Sequence, residues 1–263
     1  MRGDGDSSKE QSPKSRAPYR LKRWTHIERD IRQVRGPLLA GVDEVGRGPI
    51  AGPVVACAVI MPPDMRAIRG VDDSKALTAM ERNRLVGRIQ ERALDFALGA
   101  ASVREIERYN IYQASVLAMR RALSRLRIHP DHVIIDGKAM RTLPVPHTAI
   151  VHGDARCFSI ACASIIAKVT RDRLMARLAL RYPAYTWERN VGYTTRAHIR
   201  GLDSHGITPH HRRSFFRVSQ LMLDFDVAPT EAALNDDVAL TDESLILPAN
   251  LHVEIEIHDG IQS

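Results

Sequence analysis

No stretch of about 18 consecutive apolar residues occurs in the 263-residue chain, so no membrane-spanning helix is expected. Cysteine is scarce: Cys57, Cys157 and Cys162 stand in apolar surroundings with no C-x-x-C pair. That excludes a disulfide framework or a cysteine-based zinc site and predicts buried thiols in a reducing, cytoplasmic setting. The start, Met1 to Lys9, is polar and carries Asp4 and Asp6, which predicts no secretory signal. A P-loop is missing, which disfavours an NTPase. Lysine and arginine are missing from residues 221–263, which hold ten Asp and Glu.

That last absence reshapes the charge. The whole chain is only +7, but residues 1–220 carry all 38 basic residues against 21 acidic ones, a balance of +17. A domain so basic attracts a polyanion, with nucleic acid the default partner. Hydrophobic content of 44% supports a core, and the length suits one domain of about 200 residues plus tails. Residues 1–36 read as a basic N-terminal arm, partly disordered, turning helical from about Thr25 to Val34. Residues 37–219 read as the core domain, and 220–263 as an acidic tail. Within the tail, Leu245 to Ile257 is compatible with a strand or with disorder.

The stretch Leu39-Ala40-Gly41-Val42-Asp43-Glu44-Val45-Gly46-Arg47-Gly48-Pro49 organises the core. An apolar strand delivers two adjacent carboxylates into a Gly-Arg-Gly turn, and a second apolar run, Val54 to Met61, returns as a hairpin. Carboxylates at the end of a buried strand cost several kcal/mol unless paired, hydrogen-bonded or metal-bound. Successive strand residues face opposite ways, so both acids reach one site only if the backbone turns there. Thr78-Ala79-Met80-Glu81 has capping-box spacing and predicts a helix to about Ala93. Phe96 to Val103 reads as a third strand. Val116, Met119, Leu123 and Leu126 recur at helical spacing between Tyr112 and Leu126.

Two further strands follow, His132 to Gly137 and Thr148 to Asp154, each ending in a carboxylate beside glycine. A long helix is predicted from about Ser159 to Arg181, with Ala161, Ile165, Val169, Ala176 and Leu180 on one face and Asp172 intruding. A short helix from about Thr195 to His205 and the basic segment Pro209 to Arg217 close the core. Strands first, then alternating helix and strand, indicate a mixed α/β sheet. Ligands of such sheets sit beyond strand ends, so Asp43, Glu44, Asp136 and Asp154 can converge on one site. Four converging carboxylates need cations between them, and all-oxygen ligation suits Mg²⁺ or Mn²⁺ rather than zinc. Two such ions are the standard device for breaking a phosphodiester. The residues alone therefore point to a nuclease or phosphoryl transferase.

Six ordered motifs carry a resemblance: Gly41 to Pro49, Asp73-Ser74-Lys75, Ile134 to Gly137, Gly153-Asp154, Ala163 to Asp172, and His210 to Phe215. Together they resemble bacterial ribonuclease HII over about residues 38–217. The resemblance implies a ribonuclease H-like fold, a five-stranded mixed sheet flanked by helices, with a C-terminal helical segment. It implies a metal-dependent endoribonuclease that hydrolyses the RNA strand of RNA/DNA hybrids and incises 5′ to single ribonucleotides in duplex DNA by two-metal-ion catalysis. The products would carry a 5′-phosphate and a 3′-OH. By position, the metal-binding and catalytic acids fall on Asp43, Glu44, Asp136 and Asp154, with Mg²⁺ or Mn²⁺ as cofactor. Ala161-Cys162-Ala163 and Phe158-Ser159 depart from the family's usual pattern but leave all four acids in place. The arm is far shorter than the extra domain of ribonuclease HIII.

A ribonuclease must sense the 2′-OH, the group that separates RNA from DNA. The resemblance assigns that to Gly46, Arg47 and Gly48, with Tyr193 stacking on a neighbouring deoxyribose, and assigns phosphate contacts to Ser74, Lys75 and Lys168. Arg212 and Arg213 read as general positive charge, Asp172 as an ion-pair partner of Arg171 or Arg173, and His152 as a weak candidate proton shuttle. Gln220-Leu221-Met222-Leu223-Asp224-Phe225 resembles the peptide by which many bacterial proteins bind the DNA sliding clamp. A monomer is expected. The alternatives left open are another ribonuclease-H-fold nuclease acting on DNA, such as a junction resolvase, and a catalytically inactive hybrid-binding protein.

Overall fold

β-Branched and small residues settle the centre of the sheet. Strands β1 (Leu39–Val45) and β2 (Val54–Ile60) pair antiparallel from Ala40↔Ile60 to Val45↔Val55, giving the expected hairpin. With β3 (Asp95–Ala101), β4 (His132–Asp136) and β5 (His147–Ile150) they form a five-stranded sheet ordered β3-β2-β1-β4-β5. Neighbours β1–β4 and β4–β5 run parallel, so the sheet is mixed as expected. The computed structural model describes residues 24–215 and Val218. The start of the basic arm, the clamp-like peptide and the Leu245 to Ile257 segment lie outside the described residues.

Every residue of β2 is buried, which requires cover on both faces. Helix α3 (Val103–Ser124) covers one face, where Val42, Ala56 and Ala58 meet Ile106, Ala118 and Met119. Helices α2 (Ala79–Arg92) and α5 (Phe158–Arg181) cover the other, where Val55, Cys57 and Val59 meet Ile89, Ile165 and Ile166. Full burial of each branched aliphatic contributes roughly 1.5–3 kcal/mol. Gly41 lets α5 come close: a Cβ there would lie 2.6 Å from the Ile160 amide nitrogen and meet the Ser159 backbone as well. All three cysteines are free and buried, as predicted, and burial raises the Cys157 thiol to about 12.

Thr78 caps α2 through the predicted capping box. A second box, Ser102 with Glu105, ends β3 at Ala101 and starts α3 earlier than the apolar periodicity indicated. Asn110, at φ 69°, breaks α3, and its Oδ1 accepts from the amides of Tyr112 and Gln113 to restart the helix. Helix α1 (Ile27–Arg35) bears out the helical reading of the arm's end. Its buried Glu28 accepts from Ser159 N at 2.7 Å and Ser159 Oγ at 2.8 Å, capping the start of α5 from a distance.

Two expectations need correction. The fifth strand stops at Ile150: His152 takes a left-handed conformation at φ 56°, and Gly153–Arg156 is a short helix, α4. Asp154 therefore sits in a helical turn after the strand rather than at its end. Leu180 is 85% exposed, because the buried face of α5 shifts to Met175, Leu178 and Ala179 near its C-terminus. Helices α6 (Trp187–Asn190) and α7 (Arg196–His205, capped by Thr195) then pack with the 208–212 segment against the far end of α5.

Candidate active site

The adjacent parallel strands β1 and β4 place the first acids side by side. Val42 pairs with Ile135, so Asp43 and Asp136 follow at neighbouring strand ends. The backbone does not turn between Asp43 and Glu44: β1 continues to Val45, and the two side chains leave on opposite faces of the sheet edge. Both still lie within electrostatic reach of Asp136, so the strand end itself unites them. Asp154 is brought in by β5 and α4, where Gly153 N donates to Asp136 Oδ1 at 2.6 Å. The sequence-predicted quartet is thus assembled from β1, β4 and α4.

Its electrostatics are those of a site built for cations. Asp43 is only 6% exposed, and its pKa is raised well above the usual carboxylate range, first by burial and then by the charges of Glu44 and Asp136. A hydrogen bond from Ser164 partly offsets this. Burial also raises Glu44, against the opposing influence of Arg47, and Asp136 adds to the rise. Asp136 is raised by burial and by Asp154, although backbone N–H groups of Gly153, Asp154 and Gly137 favour its charged form. Such a cluster of oxygens, repelling while negative, fits Mg²⁺ or Mn²⁺. Among the described residues no group of three or more His, Cys, Asp and Glu side chains stands as it is in an arrangement that could hold a metal ion. Instead Arg47 Nη1 reaches Glu44 Oε1 at 3.1 Å and Lys75 Nζ reaches Asp154 Oδ2 at 3.1 Å.

Lys75 follows from local geometry: the Asp73 carboxylate accepts its amide, and Arg82 holds the carbonyls of Ser74 and Leu77. Burial would lower the Lys75 pKa, but the hydrogen bond and charge of Asp154, with Asp73 and Asp43 behind it, hold it above the ordinary value. Ser74 is buried and shares a 2.9 Å hydrogen bond with Ser164, the residue that supports Asp43. Its hydroxyl therefore backs the acids rather than facing solvent. Lys168 donates to Asp172 Oδ1 at 2.6 Å, turned along α5. Asp172 is an ion-pair partner as expected, but of Lys168 and Arg82 rather than of Arg171 or Arg173. His152 is exposed at the start of α4.

Beside the acids, Gly46 adopts φ +91°, a conformation that favours glycine, and Gly48 has its ideal Cβ position 3.6 Å from Tyr193 Cε1. Tyr193 is 48% exposed and faces this turn. Ile50 N donates to Gly192 O at 2.9 Å, tying the two loops. Sequence reasoning missed what lies beneath. Arg212 is fully buried, donating to the carbonyls of Gly46, Arg47 (2.9 Å) and Gly52 (3.0 and 2.7 Å). Arg171 is buried too, donating to Pro53 O at 2.9 Å, Ala51 O at 2.9 Å and Val191 O at 2.8 Å. Burial lowers these guanidinium groups to about 9 and about 10 respectively. The reading of Arg212 as general surface charge is therefore overturned; an arginine inside a His-His-Arg-Arg run gives no sequence signal of burial.

A buried histidine relay supports Tyr193. Trp187 Nε1 donates to His198 Nε2 at 3.0 Å, and His198 Nδ1 lies 2.9 Å from Tyr193 O. His211 Nδ1 accepts from Thr208 N at 2.9 Å, which leaves its Nε2–H to donate to His198 Nε2 at 3.0 Å. A second proton on either ring would set N–H against N–H at His198 Nε2 or against the Thr208 amide, with only the Thr208 hydroxyl, 2.9 Å from His211 Nδ1, able to turn and accept. Burial, then His198 and His210, lowers His211 to about 3.

Known proteins agree with this fold. The family profile described as ribonuclease HII matches residues 40–219. Ribonuclease HII of Thermosynechococcus vestitus is 57% identical over 180 residues, covering 68% of this chain and 84% of the relative. The fold is similar to the crystal structure of ribonuclease H2 from Pyrococcus horikoshii OT3, at TM-score 0.61 and 25% identity, covering 71% of this chain and 98% of that one. It is also similar to a PCNA:RNase HII complex from Archaeoglobus fulgidus, at TM-score 0.56 and 23% identity, covering 68% and 95%. With its sheet order and most of its length accounted for in these terms, the chain belongs to the ribonuclease HII family of metal-dependent endoribonucleases.

Proposed function

We propose that the chain cuts the RNA strand of RNA/DNA hybrids and incises duplex DNA on the 5′ side of a single ribonucleotide, leaving a 5′-phosphate and a 3′-OH. The observation that carries this reading is the mutual electrostatic reach of Asp43, Glu44 and Asp136 beside a Gly-Arg-Gly turn that faces Tyr193. Asp43, Glu44, Asp136 and Asp154 would hold two Mg²⁺ or Mn²⁺ ions. Bound metal supplies charge neutralisation and Lewis acidity for attack of water on the phosphodiester. The chain's own groups do the rest. Ser164 holds the Asp43 carboxyl in place, and the Gly153 amide orients Asp136.

Gly46, Arg47 and Gly48 would meet the ribose, Tyr193 would stack beside it, and Lys75 would exchange Asp154 for a substrate phosphate. Ser74 and Lys168 complete the phosphate side once the loop and Asp172 yield them. The basic surface would gather the polyanion in a cytoplasmic setting. Through Gln220 to Phe225 the chain would dock on a sliding clamp, a reading supported by the existence of a PCNA:RNase HII complex from Archaeoglobus fulgidus. Loss of clamp capture in Leu223→Ala with Phe225→Ala is the expected result; unchanged capture removes that part of the reading.

The main test uses end-labelled DNA with one ribonucleotide, an RNA/DNA hybrid and an all-DNA control, with Mg²⁺, Mn²⁺ or EDTA. Metal-dependent cutting 5′ to the ribonucleotide, lost in Asp136→Asn, is expected. Cutting confined to all-DNA would overturn the substrate, and binding without cutting under any metal would overturn the chemistry.

A further inference from the structure

We infer that Arg212, with Arg171, is a positioning residue that turns the Gly-Arg-Gly segment into a hydrogen-bond donor site for the 2′-oxygen of a ribonucleotide. The inference rests on the reading of that turn as the ribose-sensing element and specifies how the turn is held.

A flexible glycine turn can present carbonyls or amides to a ligand, and nothing in Gly46-Arg47-Gly48 alone decides which. The structure decides it. Arg212 draws the carbonyl oxygens of Gly46 and Arg47 inward and also grips Gly52. Arg171 takes Ala51 and Pro53 on one side and Val191, two residues before Tyr193, on the other. With those oxygens occupied, the N–H groups of Arg47 and Gly48 have no protein acceptor in the described residues and remain to donate outward. The 208–212 backbone completes the frame: Arg212 N donates to Ile50 O at 2.8 Å, and Gly52 N donates to His210 O at 2.8 Å.

Guanidinium is suited to this task because its planar fork grips several carbonyls at once, which an ammonium on a flexible stem cannot do. Neither buried cation has a carboxylate partner in the described residues. Their hydrogen bonds run to carbonyl oxygens, with Asp172 and Glu107 acting on Arg171 and Arg212 only through longer-range charge, so replacing either with lysine keeps the charge and releases the turn. Arg212→Lys therefore separates geometry from electrostatics.

The test measures Kd for matched duplexes in an Asp136→Asn background, where cutting is blocked: all-DNA, one ribonucleotide, and one 2′-fluoro nucleotide. Fluorine at that position cannot donate and accepts only weakly. Asp136→Asn alone is expected to favour the ribonucleotide duplex by about tenfold or more, and to retain part of that preference with fluorine. Adding Arg212→Lys should bring the ribonucleotide-to-DNA ratio to within about twofold of unity while leaving affinity for all-DNA duplex within about twofold. A purely structural role would lower both affinities together and leave the ratio, and that result overturns the inference. Preference for the fluorinated duplex equal to that for the ribonucleotide duplex, without Arg212→Lys, overturns it too, because donors aimed at an oxygen must lose strength on fluorine, and that result needs no arginine variant to fold. Equal binding of ribonucleotide and all-DNA duplexes before Arg212 is changed would instead sink the ribose-sensing reading itself.

Discussion

Acidification should destabilise this fold through one identifiable ring. His211 is 1% exposed, its Nδ1 already accepts from Thr208, and its pKa is lowered to about 3 from the ordinary 6.5. A base whose folded pKa is depressed binds its proton in the unfolded chain first. Stability from this group is therefore intact above pH 6.5 and declines as pH falls from 6.5 towards 3. Each unit of pH in that window costs about 1.4 kcal/mol, so a shift from pH 7 to pH 5 removes about 2 kcal/mol. For a domain of this size that is a fall in Tm of about 4–8 °C.

Carboxylates and other histidines titrate in the same range, so the comparison is with His211→Gln by urea unfolding at several pH values. The variant loses the hydrogen bonds to Thr208 and His198 and should be less stable at pH 7 by roughly 1–3 kcal/mol. It also loses the titrating ring, so the gap between the proteins should narrow by about 2 kcal/mol on going to pH 5. Parallel stability curves across that range would refute the account of a neutral, proton-excluding relay.

Gly41→Ala should cost about 1–3 kcal/mol or more, because its Cβ meets helix backbone that cannot rotate away, and cleavage should weaken as α5 carries Ser164 away from Asp43. An unchanged Tm would refute the packing argument. Glu28→Ala should cost about 1–3 kcal/mol by leaving Ser159 without its acceptors, read as a lower urea midpoint with unchanged slope. Asn110→Ala should cost about 1 kcal/mol by removing the cap that restarts α3, whereas Asn110→Asp should be nearly neutral; equal losses would refute the capping role. Lys75→Met should raise KM for ribonucleotide-containing duplex several-fold with a smaller change in kcat, and an effect on kcat alone would contradict phosphate binding.

The acids were legible in the sequence because each carries two local signals at once: an apolar strand before it and a glycine within two residues. The sheet followed from β-branched runs and from the capping box at Thr78, both short-range features. The second box at Ser102 was equally visible and would have moved the start of α3 to Val103. Asp154 is expected at a strand end and lies instead in a helical turn near Asp136, since a left-handed His152 has no composition signature. Arg171 and Arg212 were illegible for a different reason. A buried cation satisfied by carbonyls has no complementary residue in the sequence to betray it, so Arg212 reads as general charge and Arg171 only as a neighbour for Asp172. The same holds for Glu28, whose partner Ser159 lies 131 residues away.

The frame around the Gly-Arg-Gly turn spans almost the whole domain in sequence, since Arg212 reaches Gly46 and Arg47 across 166 and 165 residues. During vectorial synthesis the strand bearing Asp43 and Glu44 emerges early, and all four acids are present by Asp154. The residue that orients the turn arrives only near the end of the fold. A nascent or clipped chain ending before Arg212 would hold a complete set of carboxylates with an unset turn. If the turn reads the ribose as proposed, substrate choice is tied to the last-made part of the domain.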